Sequence, residues 1–402
     1  MKKFKLFFVR FVEFFINIVE HILVWKEPKL LEGYSELVDA LTFRNVDNVL
    51  IVSDANCVKF GLTKHLQEKL KESDIKFTIF SDITPNPTFD NVYNGKKIYI
   101  DNKCNGIIAV GGGSTMDCAK GIGVVVNNKK PIEKYKGLFK VGHKLPLLIA
   151  IPTTSGTGSE TTMAAVIRND KTKEKFPIES FKVVPSFALL DEKLLEKLPK
   201  NVFSTTGMDA LTHAIESYLN SYATKKTKKY SLDAIKLIKE NIVNGYKDPT
   251  DLVAKKNMLY ASFLAGKAFT RAMVGSVHAV AHALGGKYNL PHGYLNAIIL
   301  PNILNIYKSV SRKKMKEMAV YAGIASDKDS ESLASYKFLT FVRDLNKTFE
   351  IPTTIKEIKV KDIPELAHTS YKEAVPLYAT PIIFDELDYR FIYIDLKGDI
   401  NE

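Results

Sequence analysis

Three cysteines, one tryptophan and no charge-free apolar run of twenty residues set the first limits on this 402-residue chain. Cys57, Cys104 and Cys118 are odd in number, and their spacing fits neither a disulfide framework nor a thiolate metal site. A reducing, cytoplasmic setting is therefore expected. Cys118 lies beside a glycine-rich turn and reads as a packing group, not a nucleophile. The GxGxxG dinucleotide fingerprint is missing, as are internal repeats and low-complexity segments. Basic residues are spread along the chain: Lys and Arg outnumber Asp and Glu by 57 to 45, a net +12, with a local cluster at Lys225, Lys226, Lys228 and Lys229. Scattered charge of this kind is a solvated surface, and no nucleic-acid partner is expected. The excess also favours the approach of an anionic cofactor.

The longest apolar stretch, KLFFVRFVEFFINIVEHILVW, opens the chain. Arg10, Glu13 and Glu20 interrupt it, which counts against a membrane span or a cleaved signal. Arg10, Glu13, Asn17, Glu20 and His21 recur at helical spacing and form one polar stripe, with Phe, Ile, Val and Leu around the rest. The expectation is an amphipathic leader helix over residues 1–26. Its apolar face is expected to pack on the protein itself or on a subunit partner, with a membrane surface as the alternative (peripheral attachment of a cytoplasmic protein).

Beyond the leader, short apolar runs alternate with helical spacing. Strands are expected at Val49–Val52, Phe77–Phe80, Gly106–Val110, Leu147–Ile151 and Val184–Leu190, with a helix over LTKHLQEKLKES. Such alternation predicts a parallel sheet covered on both faces. From about Ser204 the spacing turns wholly helical. The expected organisation is an α/β dinucleotide-binding domain over 27–203, followed by an all-helical metal-binding domain over 204–402.

GGGSTMDCAKG follows a strand and opens a helix. Glycines let backbone approach a phosphate, and a helix N-terminus supplies unpaired N–H groups. Gly112, Gly113, Ser114 and Asp117 of this segment are candidate cofactor residues. Thr153 and Thr154 in PTTSGTGSE lie past another strand end, where ligands enter an open sheet. Asp54 stands just past the first of these strands. A carboxylate there would bond a ribose hydroxyl and repel a 2′-phosphate, favouring NAD over NADP; the plainer reading is a turn or helix cap.

Asp209 and His213 are one helical turn apart in TTGMDALTHAIE, and His278 and His282 repeat that spacing in SVHAVAHALGG. His292 follows in a Pro-His-Gly loop. One carboxylate with imidazoles suits Fe²⁺ or Zn²⁺. Five groups exceed what a site with an open position needs, which leaves room for a non-ligand that handles protons. Residue spacing alone does not say which.

With these motifs in order, and with PNPT at Pro85–Thr88, the chain resembles the iron-containing (group III) alcohol dehydrogenase family from about Glu27 to near its C-terminus. The resemblance implies a dehydroquinate synthase-like architecture, with the active site in a cleft between the α/β and helical domains. It implies metal ligation by Asp209, His213, His278 and His292, a proton-relay role for His282, and cofactor contacts at Asp54, Asn86, Gly113, Ser114, Thr153, Thr154 and Lys175. Implied too are Fe²⁺ (with Zn²⁺ as the alternative), NAD, a small alcohol or aldehyde as substrate, and a homodimer. Glycerol dehydrogenases and the dehydroquinate synthase lyases are the neighbouring activities on this scaffold, and a membrane-attached or filament scaffold is a further alternative. The leader before Glu27 and the segment KEAVPLYATPIIFDELD depart from the family pattern.

Overall fold

The structure, a computed structural model, describes residues 8–15, 18, 25–172 and 175–398. These form two compact units: Trp25–Leu198, and Pro199 onward together with the described leader residues.

The first unit is built on a six-stranded sheet in the order β1 (Lys29–Leu31), β9 (Phe187–Leu189), β6 (Leu147–Pro152), β4 (Gly106–Gly111), β2 (Asn48–Ser53), β3 (Lys76–Phe80), with every neighbouring pair parallel. The central strands NVLIVS, GIIAVG and LLIAIP are apolar and buried almost throughout, as strands covered on both faces must be. From β2 the chain first adds β3 on one side, then β4, β6 and β9 on the other. The order therefore reverses between β2 and β4, and that is where an open parallel sheet takes its ligand, beyond the carboxyl ends of the strands. Helices α1 (Tyr34–Phe43), α2 (Ala55–Lys59), α3 (Lys64–Glu72), α4 (Phe89–Asp101) and α5 (Gly113–Asn127) belong to this unit. Helix α5 springs directly from β4, burying Met116, Cys118, Ala119 and Ile122.

Two features differ from the sequence expectation. The last strand is shorter than 184–190, because Pro185 has no N–H to donate and pairing starts only beyond it. A second sheet, β5 (Gly137–Leu138), β8 (Lys175–Glu179) and β7 (Ala164–Arg168), was not anticipated. Its strands are two to five residues long, and Pro177 interrupts one of them, so no periodic signal builds up.

The second unit contains α6 (Lys200–Leu219), α7 (Lys225–Lys247), α8 (Leu252–Ala272), α9 (Ser276–Tyr288), α10 (His292–Tyr321), α11 (Glu331–Thr348), α12 (Ile363–Ala374) and α13 (Glu386–Lys397). Helix α6 is buried along its whole length from Gly207 to Leu219, with α7, α8 and α10 around it. Polar groups on such a helix need partners inside the protein.

Residues 8–15 are helical, as expected, but their orientation corrects the expectation that the apolar face packs on the protein itself. Val9 and Glu13 face inward, and Arg10 Nη2 donates to the carbonyls of Thr380 (3.1 Å) and Pro381 (3.3 Å) while Nη1 reaches Glu13 (2.7 Å). The polar edge is drawn in because it finds two backbone acceptors there, and the aromatic face is left outside. Asn17, Glu20 and His21 of the expected stripe lie outside the described residues. No helix among the described residues is long and apolar enough to cross a membrane.

Candidate functional site

The expected phosphate turn sits at the reversal point of the sheet. Gly112 caps α5 without any side-chain hydrogen bond, so the first N–H groups of the helix have no side-chain acceptor at the cap. A Cβ on Gly112 would stand 3.6 Å from Thr154, and one on Gly113 only 3.1 Å from Thr157 Cγ2. The loop after β6 thus faces this helix start across a space that glycine keeps clear. Thr154 Oγ1 and Ser155 Oγ are buried there with no hydrogen-bond partner among the described residues. Unsatisfied donors beside an uncapped helix N-terminus are what a phosphate would satisfy. Ser114 Oγ accepts from the Asn86 N–H (3.3 Å), which links the PNPT segment to the turn; Asn86 itself is in the left-handed region (φ 58°) that asparagine tolerates.

The other expected cofactor residues are placed differently from one another. Asp54 is the N-cap of α2, its Oδ1 accepting from Asn56 and Cys57 N–H at 3.0 Å, the plainer of its two readings. It stands at the end of β2, beside the reversal point. Thr153 N–H donates to Gly111 O (3.1 Å), and its hydroxyl lies 3.8 Å from Cys57 Sγ. Asp117 is committed to the protein: its carboxylate accepts from Ser159 Oγ (3.1 Å) and Val166 N–H (3.2 Å). Lys175 starts β8, exposed, in the three-stranded sheet. Cys118 is fully buried and burial holds its thiol well up, so it is the packing group expected of it.

Beneath the loop lies a charged cluster that the sequence reading did not single out. Lys120 Nζ, fully buried, donates to Thr162 Oγ1 (2.7 Å), Ala164 O (2.8 Å) and Thr162 O (3.0 Å). Burial pulls it down to about 8, against the pull of Asp117 and Glu160. Burial also pushes Glu160 up to about 7, only partly offset by its own backbone N–H and by Lys120, and leaves its Oε1 without a hydrogen-bond partner among the described residues. With an ordinary value of 4.5, Glu160 binds a proton on folding between about pH 4.5 and 7. Its contribution to stability is greatest below that window and is lost as pH rises through it. Gln is the isostere of the protonated acid, so Glu160→Gln should match the parent in thermal unfolding at pH 5 and exceed it by a few degrees at pH 8. Equal melting temperatures at both values would remove this assignment.

In the helical unit, Asp209, His213, His278 and His292 converge. One donor atom from each lies within 4.8 Å of all the others. Asp209 Oδ1 stands 3.4 Å from His292 Nε2, 3.7 Å from His278 Nε2 and 3.9 Å from His213 Nδ1. These distances exceed hydrogen-bond length. The shortest equals the spacing of ligand atoms around a tetrahedral ion, about 3.4 Å for bonds of about 2.1 Å, and the other two are within about 0.5 Å of it. The Asn296 amide Nδ2 is directed at three of the same atoms, at 2.7 Å from Asp209, 3.1 Å from His292 and 3.2 Å from His278, a donor aimed where a cation's ligands point. The residues present fit a divalent ion.

Local structure explains the convergence. Asp209, His213 and Glu216 fall at i, i+4 and i+7 on one face of α6. His213 is held between the rings of Phe269 (4.0 Å) and His278 (4.5 Å). Gly293 lets the start of α10 approach α6 closely, since a Cβ there would meet the Thr205 carbonyl at 2.5 Å; this brings His292 beside Asp209. Glu216 accepts from His278 Nδ1 (2.6 Å) and from the N–H groups of Val277 (2.7 Å) and Gly275 (2.8 Å). A carboxylate at Nδ1 fixes the tautomer and leaves the Nε2 lone pair for an ion.

The electrostatics agree with ligand duty. Burial pushes the Asp209 carboxyl up, but His213, His292 and His278 outweigh it and hold it below the carboxylate range. Burial keeps His292 neutral. Burial opposes a proton on His278, yet the neighbouring carboxylates of Asp209 and Glu216 prevail and raise it to about 9, so an ion must displace that proton.

His282, the fifth candidate, is set apart from the four. Its Nδ1 is bonded to Glu373 Oε1 (2.6 Å), which also accepts from Tyr378 OH (2.8 Å), and its ring stacks on His292 at 5.1 Å. Burial would raise Glu373, but His282 and Tyr378 hold it below its ordinary value, so it is the acceptor of both. Neither Glu216, Asn296 nor Glu373 was picked out from the sequence. Glu216 and Asn296 carry a signal, at i+7 from Asp209 and i+4 from His292; Glu373 lies 91 residues from its partner and carries none.

A parallel sheet open to a ligand at its reversal point and an Asp/His₃ cluster able to hold a divalent ion occur in one chain. The iron-containing alcohol dehydrogenase description matches residues 29–192, and that of the Fe-containing alcohol dehydrogenase family, C-terminal, matches 203–392. The chain belongs to the iron-containing alcohol dehydrogenase family. Among its relatives, 1,3-propanediol dehydrogenase of Citrobacter freundii is 36% identical over 81% of this chain and 85% of its own length, and alcohol dehydrogenase 4 of Saccharomyces cerevisiae is 35% identical over 87% and 91%. The crystal structure of a 1,3-propanediol oxidoreductase superposes with a TM-score of 0.88 at 32% identity, covering 92% of this chain and 99% of that one.

Proposed function

We propose that this protein is a metal-dependent alcohol dehydrogenase, or aldehyde reductase, that transfers a hydride between NAD(H) and a primary alcohol or aldehyde. The observation that carries this reading is the convergence of Asp209, His213, His278 and His292, with Glu216 orienting His278. Dehydrogenase relatives over more than four-fifths of the chain favour it over the lyase and scaffold alternatives. Asp209, His213, His278 and His292 would hold a divalent ion, Fe²⁺ or Zn²⁺, which would supply Lewis acidity for the substrate oxygen, and a bound nicotinamide would supply the redox chemistry. Asp209 contributes the single negative charge of the site, and the imidazoles contribute neutral donors. His282, bonded to Glu373 and outside the ligand set, is the group that carries a proton to solvent. Gly112, Gly113, Ser114 and Thr154 would hold the cofactor phosphates, and Asp54, whose Oδ1 is in the cap, would favour a ribose hydroxyl over a 2′-phosphate.

The test is NADH oxidation by anaerobic, Fe²⁺-loaded protein across short aldehydes, with chelated and Zn²⁺-loaded controls. Chelator-sensitive turnover supports the reading; bound metal and NADH with no turnover on any aldehyde overturns it. The phosphate site has its own check. Thr154→Val keeps the shape but removes a buried hydroxyl with no protein partner. Stability should hold or rise slightly, while the dissociation constant for NADH, measured by calorimetry, should rise about tenfold. Unchanged affinity would take Thr154 out of the cofactor site.

A further inference from the structure

The leader helix presents an outward aromatic face for which the oxidoreductase chemistry has no use. Phe8, Phe14, Phe15 and Ile18 are 59%, 60%, 51% and 41% exposed, and the face is made continuous by ring contacts of Phe15 with Phe11 (4.8 Å) and Phe14 (5.9 Å). Their positions at 8, 11, 15 and 18, with 14 alongside, trace one side of a helix. The opposite side is fixed to the protein by Val9, Glu13 and the Arg10 bonds to Thr380 and Pro381, so the aromatic side cannot turn inward without breaking them. The seven residues that precede this helix contain Lys2, Lys3 and Lys5 and no acidic residue.

We propose that this face docks the protein on an anionic lipid surface, with the phenylalanines entering the headgroup–acyl boundary and the chain's positive charge favouring lipid phosphates. An apolar, aromatic face flanked by basic residues is the pattern of an interfacial helix. Charge decides between lipid and a second copy of this chain. Two copies of a chain carrying a net +12 repel one another, whereas an anionic surface attracts each of them. This inference is independent of the dehydrogenase reading, since binding is measured without turnover.

The experiment is flotation of the full chain with vesicles of phosphatidylglycerol in phosphatidylcholine, and with phosphatidylcholine alone. The parent should float with the anionic vesicles and less with the neutral ones, and added salt should weaken binding. Phe8→Ser combined with Phe14→Ser should lower the partition about tenfold or more, with the melting temperature and aldehyde turnover retained, because both side chains are exposed. Lys2→Glu with Lys3→Glu should lower it as well, by removing positive charge. A parent that does not float, or a Phe variant that floats like the parent, overturns the proposal. So does a Phe variant whose only change is a smaller oligomer by light scattering, which would assign the face to a second copy of the chain.

Discussion

His278→Ala should abolish metal binding and turnover together. The imidazole contributes Nε2 to the Asp209–His213–His292 cluster and Nδ1 to Glu216, so its loss removes one donor of four and leaves a buried carboxylate without its most strongly bonded partner. Metal content after dialysis should fall from about one ion per chain to near none, and aldehyde turnover by about a thousandfold or more, the scale of losing a Lewis acid worth several kcal/mol. The informative contrast is His282→Ala. That residue is bonded to Glu373 and stands outside the ligand set. It should retain the metal and lose turnover by about a hundredfold, as expected of a proton carrier. Retained activity in metal-free His278→Ala protein would sink the metal-dependent mechanism, and metal loss in His282→Ala would return that residue to the ligand set.

This contrast would decide what residue spacing leaves open. Helical spacing placed Asp209 with His213 and His278 with His282, but it could not show that only one member of the second pair points at the cluster. That follows from the approach of α10 to α6 at Gly293 and from the competing bond to Glu373, both non-local. The parallel strands were legible because β2, β4 and β6 are continuous apolar runs, and the strand-to-helix turn because glycines follow one of them. The strands of the second sheet were too short to announce themselves. The leader shows the limit most plainly. Amphipathicity gives the period of a helix, not which side is buried, and there two backbone carbonyls at Thr380 and Pro381 draw the polar edge inward. Asp117, adjacent in sequence to the phosphate turn, is instead taken by Ser159 and Val166, since one turn into α5 its side chain reaches the loop and not the helix start.

Glu216 offers the second large effect, and one in which stability and metal affinity separate. Its two oxygens serve three donors: His278 Nδ1 and the N–H groups of Gly275 and Val277, the start of α9, where Gly275 has no side chain to cap the helix. A Cβ on Gly275 would stand 2.7 Å from Glu216 Oε1, so the carboxylate fills the place a capping side chain would take. Glu216→Ala removes all three bonds at a buried site. Two orphaned N–H groups cost about 1–3 kcal/mol each, so a marked fall in melting temperature is expected alongside loss of metal. Glu216→Gln keeps an oxygen for the helix start but turns an NH₂ group toward Nδ1. The imidazole must then accept there and carry its hydrogen on Nε2, aimed at Asp209 and His292. Stability should fall modestly, while metal affinity, measured by competition with a chromophoric chelator, should fall about 10- to 100-fold. A Gln variant that melts lower but binds metal as tightly as the parent would make Glu216 a helix cap and nothing more; one that binds weakly at nearly parental stability makes it the residue that sets the tautomer of His278.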